Sequence, residues 1–291
     1  MSPRTLSLLE PILRSDFSAT ALGLWVAAVV CALLASGAPR ARASEPPGDV
    51  GEGKVLYERY CVSCHGELGD GNGEAAPNIS PKPRDYRQGV FKSRSTPSGS
   101  LPLPADVEKT LENGLYGTRM PSWYALGHRA RRDLIAYIQT FSPRWTTEQP
   151  KAPITIPSEP ANSQQSVERG REVYQRTGCA DCHGDRGLGD GPSAKAGLQD
   201  SWGNPIAPAN LAKQHSKYGD SGTERYRILM TGIDGTPMPS FGEVLTADQT
   251  WDLVHYLENL SHETPPSDQR FGAVSAHQER IATILGFLFG E

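Results

Sequence analysis

Apolar positions along this chain fall into helical rhythms far more often than strand rhythms. Over residues 132–138 (Arg-Asp-Leu-Ile-Ala-Tyr-Ile) and 251–257 (Trp-Asp-Leu-Val-His-Tyr-Leu), apolar side chains recur at i, i+3 and i+4. That spacing puts them on one face of a helix, so each segment is predicted to bury one side. Two earlier segments read the same way. Val55, Leu56 and Tyr57 punctuate a polar run from Glu52 to Tyr60, and Val167, Gly170, Val173 and Tyr174 do so in a second run. Thr246-Ala247-Asp248 offers a threonine N-cap for the last helix. Few runs alternate apolar with polar residues, and 30 glycines with 24 prolines point to long irregular loops rather than strands.

The remaining segments break these rhythms. Five prolines between Ser142 and Gln165 disfavour regular helix and predict an extended, semi-rigid spacer. Residues 17–39 form an uncharged stretch after Arg4 and Arg14, followed by Ala41-Arg42-Ala43. This leader over residues 1–43 reads as a signal peptide cut after its A-x-A ending, with an uncleaved membrane anchor as the alternative. The tail, residues 263–291, ends in an apolar run over 281–289 that is too short to span a bilayer. It is expected to dock on a domain or partner, or to touch a membrane surface.

Charge separates the two halves. Residues 44–160 carry 14 basic and 14 acidic side chains, whereas residues 161–291 carry 11 and 17, a net charge of −6. Arg129, Arg131 and Arg132 cluster in the neutral half, and Asp181, Asp185 and Asp190 in the acidic one. This balance argues against nucleic-acid binding. It also predicts that the two halves attract different partner surfaces.

The chemistry is carried by two Cys-x-x-Cys-His units, Cys61-Val62-Ser63-Cys64-His65 and Cys179-Ala180-Asp181-Cys182-His183. The spacing is that of covalent c-type haem attachment, in which both thiols bond the porphyrin and the histidine ligates the iron. A redox Cys pair does not need the histidine. A zinc site would bring the two units close, but they lie 118 residues apart. Four of the five cysteines are thereby assigned, and Cys31 falls in the leader, where Val29 and Val30 do not suit a lipoprotein cleavage box. Two covalently attached haems are therefore expected.

Each unit has its own methionine. Gly117-Thr118-Arg119-Met120-Pro121-Ser122-Trp123 and Gly235-Thr236-Pro237-Met238-Pro239-Ser240-Phe241 share the frame G-T-x-M-P-S-aromatic. Met120 follows His65 by 55 residues, and Met238 follows His183 by 55. Core packing is the commoner fate of methionine, but a repeated frame at a repeated distance favours Met120 and Met238 as second axial ligands. Met230 lacks the frame and reads as core. His128, His215, His255, His262 and His277 are rival ligands without a matched position. The copies also differ in loop length, the first keeping a longer loop from Arg87 to Pro104 that is expected to contact a partner.

On these motifs each half resembles a class I cytochrome c domain, over about residues 48–142 and 166–261. The resemblance implies an all-α fold of two tandem domains, 44–142 and 166–262, joined by the Pro-rich linker 143–165 and each wrapped round a haem. It also implies close crossing of the first and last helices of each domain at a glycine, matched here by Gly53 and Gly170. The expected function is that of a dihaem electron carrier, or an electron-transfer subunit of a respiratory complex, outside the cytoplasmic membrane. Such a protein needs redox donor and acceptor partners, a membrane complex among them. The alternatives are a dihaem peroxidase, which needs an open iron position, and the anchored dihaem subunit of a terminal oxidase.

Overall fold

The computed structural model describes residues 47–213 and 215–263, with side chains to residue 260 at that end. The leader over 1–43 with Cys31, the side chain of His262, His277, and the tail from residue 264 lie outside the described residues. Among the described residues, no helix is long and apolar enough to cross a membrane.

Among the described residues the fold is all-α apart from one hairpin of two-residue strands. The first domain runs through α1 (Val50–Tyr60), α2 (Val62–His65), α3 (Pro104–Asn113) and α4 (Gly127–Gln139). A single turn, α5 (Arg144–Thr147), opens the linker. It departs from the expected extended spacer because proline at a helix entry sacrifices no needed donor. The second domain runs through α6 (Gln164–Arg176), α7 (Cys179–His183), α8 (Pro192–Ala196), the hairpin β1 (Leu198–Gln199) and β2 (Pro205–Ile206), α9 (Gly222–Thr231) and α10 (Ala247–Glu263).

Local chemistry sets the helix ends. The Asp49 carboxylate caps α1 by accepting from the amides of Gly51 (2.8 Å) and Glu52 (3.1 Å). At α10 the expected Thr246 cap is reciprocal: its hydroxyl accepts from the Gln249 amide, and the Gln249 side chain accepts from the Thr246 amide. Leu134, Leu253 and Val254 are fully buried on the faces that the periodicity assigned. Each such side chain contributes roughly 1.5–3 kcal/mol over an exposed one.

The first and last helices of each domain pack on each other, α1 on α4 and α6 on α10. Gly53 lies against the Asp133 carbonyl and Gly170 against the Asp252 carbonyl, so the close crossing occurs at the two glycines matched by resemblance. Charged groups pin both crossings. Asp133 accepts from the Asp49 amide (2.7 Å), and Asp252 takes a bidentate Arg169 (2.7 and 2.7 Å).

The loop over residues 87–104 lies against the second domain. Arg94, fully buried, donates to the Thr231 carbonyl (2.6 Å) and to Asp234 (2.8 Å). Ser98 and the Gly99 amide also donate to Asp234, and Arg227 donates back to the Arg94 carbonyl (2.7 Å). Lys109 pairs with Glu224 beside them. The residues expected to meet a partner protein are thus an internal seam. One member of the arginine cluster is corrected likewise. Arg131 is buried against Glu108, Glu112 and the Tyr124 carbonyl, and Arg129 pairs with Asp133.

Candidate functional site

α1 leads into the first Cys-x-x-Cys-His turn and α6 into the second. Tyr57 and Tyr174 fasten each turn to its helix, their hydroxyls donating to the carbonyls of Gly66 (2.8 Å) and Gly184 (2.7 Å). The second copy has one more residue between tyrosine and cysteine. Gly178 absorbs it in the left-handed region (φ 73°), where a side chain would be strained.

Both histidines are oriented by a backbone carbonyl. His65 Nδ1 lies 3.1 Å from the Arg84 carbonyl, and His183 Nδ1 lies 2.9 Å from that of Ala209, positions that align between the copies. A proton held on Nδ1 leaves the Nε2 lone pair as the free donor, the tautomer a metal ligand requires. In the first domain the Tyr86 hydroxyl stands 3.3 Å from Nε2 and its ring stacks on the imidazole, while Leu211 holds the matched position in the second. Burial pulls His65 down to about 4 and lowers His183, so both rings are neutral near pH 7. Burial also pushes the Cys61 thiol up to about 12 and raises Cys179.

The methionine loops are built twice from the same bonds. Thr118 and Thr236 accept from the amides of Met120 (3.1 Å) and Met238 (3.2 Å). The Met120 carbonyl accepts from the Leu115 amide, as the Met238 carbonyl does from Ile233. Ser122 and Ser240 donate to the carbonyls of Glu112 and Met230, tying each loop to the end of the preceding helix. The frame G-T-x-M-P-S is therefore a hydrogen-bonded unit. The repeat made its residues visible, but the roles of Thr and Ser needed the geometry.

In the first domain Cys61, Cys64, His65 and Met120 all line one cavity, which holds about 1240 Å³ of empty space, part of it open to solvent. In the second, Cys179 and Met238 pack against one core built from Tyr174, Leu229, Phe241 and α10. Met230 packs against the same core, as expected of a residue outside the frame. The rival histidines are engaged elsewhere: His128 with Glu108, His215 with Asp220, and the fully buried His255 with Ser166.

The first cavity fits a haem chemically. Two thiols, an imidazole and a soft thioether share it with an apolar lining from Ile79, Val107, Leu111 and Ile138. Arg84, Lys92 and Lys217 also line it, cations suited to propionate carboxylates. The buried Trp123 indole N–H, on the same wall, has no hydrogen-bond partner among the described residues.

Residues 48–138 match the family model described as cytochrome c oxidase, cbb3-type, subunit III, and residues 167–261 match that of cytochrome c. Among solved structures, a chain of the Kuenenia stuttgartiensis reducing HAO-like protein complex Kustc0457/Kustc0458 is 36% identical with a TM-score of 0.72. The match covers 74% of this chain and 98% of that one. No curated protein matches the sequence. Both matched families bind covalently attached c-type haem.

Proposed function

We propose a function from one premise: the chain belongs to the c-type cytochromes and is an electron-transfer protein with two cytochrome c domains. In our reading it works in the periplasm as a dihaem carrier, or as the electron-transfer subunit of a larger redox complex. Cys61 and Cys64 would bond the first haem, and His65 and Met120 would hold its iron. Cys179, Cys182, His183 and Met238 would do the same for the second. The observation that carries this reading is that Cys61, Cys64, His65 and Met120 line one cavity, while the same orienting bonds recur in the second domain.

When bound, each haem supplies a one-electron Fe(III)/Fe(II) couple. The chain's own residues set its conditions. The carbonyls of Arg84 and Ala209 hold the imidazole protons at Nδ1, and Thr118 and Thr236 hold the methionine loops in place. A thioether ligand favours Fe(II) and so raises the potential over a second imidazole. With an imidazole and a thioether available to each iron, the protein would pass electrons between partners rather than activate a small substrate. The similarity of the first domain to an oxidase subunit family, and of 74% of the chain to a member of a named complex, supports docking on a larger redox enzyme.

The test is spectroscopic. Mass spectrometry of protein made with haem maturation should show two covalent haems. The oxidised protein should show the near-infrared band of methionine-ligated ferric haem, and Met120→Ala and Met238→Ala should each remove about half of its intensity. A band that survives in the double variant sinks the ligand assignment. A native high-spin haem would favour the peroxidase alternative.

A further inference from the structure

The first haem cavity is not closed by its own domain. Lys217 and Tyr218, from the loop that precedes α9 in the second domain, line it beside Arg84 and Lys92. The second domain also positions Arg84. The hairpin turn is held by Asp200, which accepts from the amides of Trp202 (3.0 Å) and Asn204 (2.9 Å), and it sets the Trp202 ring 4.3 Å from the Arg84 guanidinium.

Arg84, Lys92 and Lys217 thus bring three positive charges to one cavity, and among the described residues none of the three side chains is in an ion pair. Asp85, beside Arg84, is taken by Arg87 (2.8 Å), and Asp200 is occupied by its own turn. Burial lowers Arg84 and Lys217, and burial together with the Arg84 charge pulls Lys92 down to about 8. The Asp200 and Asp85 charges offset this crowding only in part, since neither carboxylate forms an ion pair with the three cations, and an anion in the cavity would relieve the rest. At the position matched to Arg84, the second domain has the uncharged Ala209.

We propose that the second domain completes the haem site of the first: Arg84, Lys92 and Lys217 hold the propionates of that haem at the seam between the domains and raise its reduction potential. The inference rests on the reading that the first domain binds a haem. Guanidinium and ammonium groups pair with carboxylates by charge-assisted hydrogen bonds. Positive charge near a partly desolvated iron favours the state that has gained an electron, and water screens it little there. The first haem is therefore tuned by the other domain, and the chain acts as one redox unit rather than two carriers on a string.

The experiment uses the full-length protein carrying both haems, in wild type and as Lys217→Gln, Lys217→Arg and Lys92→Gln. Each haem is followed by its own paramagnetically shifted methyl resonances during titration between dithionite and ferricyanide. Lys217→Gln should shift the Fe(III)/Fe(II) ratio of the first haem about tenfold toward Fe(III) at fixed potential, or ~59 mV for one electron. The second haem should move far less, Lys217→Arg should restore the wild-type value, and Lys92→Gln should repeat the shift. Two haems by mass and an intact near-infrared methionine band must accompany the shift; their loss in the wild type would instead count against the haem-ligand reading. Unchanged potentials in both glutamine variants, or equal shifts of both haems, would overturn the proposal. So would a wild-type first-haem potential that tracks added inorganic phosphate, which would assign the cations to a free anion.

Discussion

Arg94→Ala is expected to cost about 3–5 kcal/mol, the range for removing one partner of a buried charge pair. Arg94 has a fully buried side chain, and its guanidinium joins the two domains through the Thr231 carbonyl and Asp234. It also braces its own loop through the carbonyls of Phe91 and Pro97, both at 3.3 Å. Alanine would leave the Thr231 carbonyl and the loop carbonyls short of a donor, with a void beside them. Asp234 would keep Ser98 and the Gly99 amide, which makes the loss smaller than for a wholly orphaned carboxylate. In a domain pair of this size the loss corresponds to roughly 6–20 °C in melting temperature. Calorimetry should also split one unfolding transition into two, because the seam couples the domains. A single transition at the wild-type temperature would show that the seam contributes nothing to coupling.

That seam marks the boundary of what the sequence discloses. Helix faces and the two repeated frames are local patterns, so their periodicity and spacing point directly to Leu134, Leu253, Met120 and Met238. The Arg94–Asp234 pair joins residues 140 apart, and no spacing rule connects them. The only trace in the sequence is unequal loop length. The longer loop of the first copy carries Arg94, and the region after α8 in the second, where five residues are added, carries the Trp202 hairpin. Both insertions end in interdomain contacts, Arg94 on Asp234 and Trp202 on Arg84. The difference could be read from the repeat, but its meaning could not, because an inserted loop looks equally suited to a foreign partner. Arg131 failed for the opposite reason. Composition counts it as surface charge, whereas α3 supplies Glu108 and Glu112 to receive it inside the domain.

Within α1, the same substitution two residues apart is expected to have opposite outcomes. At Gly53 a new Cβ would stand 1.9 Å from the Asp133 carbonyl oxygen and 2.9 Å from the Tyr137 Cβ. The obstacle at Asp133 is helix backbone, which cannot turn aside as a side chain can, so α1 and α4 would have to separate. Separation loosens the packing of Tyr57 on Leu134 and Ile138, and it weakens the bond from the Asp49 amide to Asp133. Alanine gains roughly 1 kcal/mol of helix propensity over glycine, against about 3 kcal/mol or more for overpacking of this severity. The steric loss wins, and because α1 leads directly into Cys61–His65, loading of the first haem should fall with it. At Gly51 the nearest contact is 3.2 Å, from the Asp49 carboxylate at the end of a side chain. Gly51→Ala should therefore stay within about 1 kcal/mol of wild type. Gly170→Ala repeats the test in the second domain, where the Asp252 carbonyl is also 1.9 Å from the new Cβ, and it should spare the first haem while reducing the second. Thermal melts with haem-to-protein ratios for the three variants decide the matter. If Gly53→Ala melts with Gly51→Ala and carries two haems, the close crossing does not govern how the haem site is assembled.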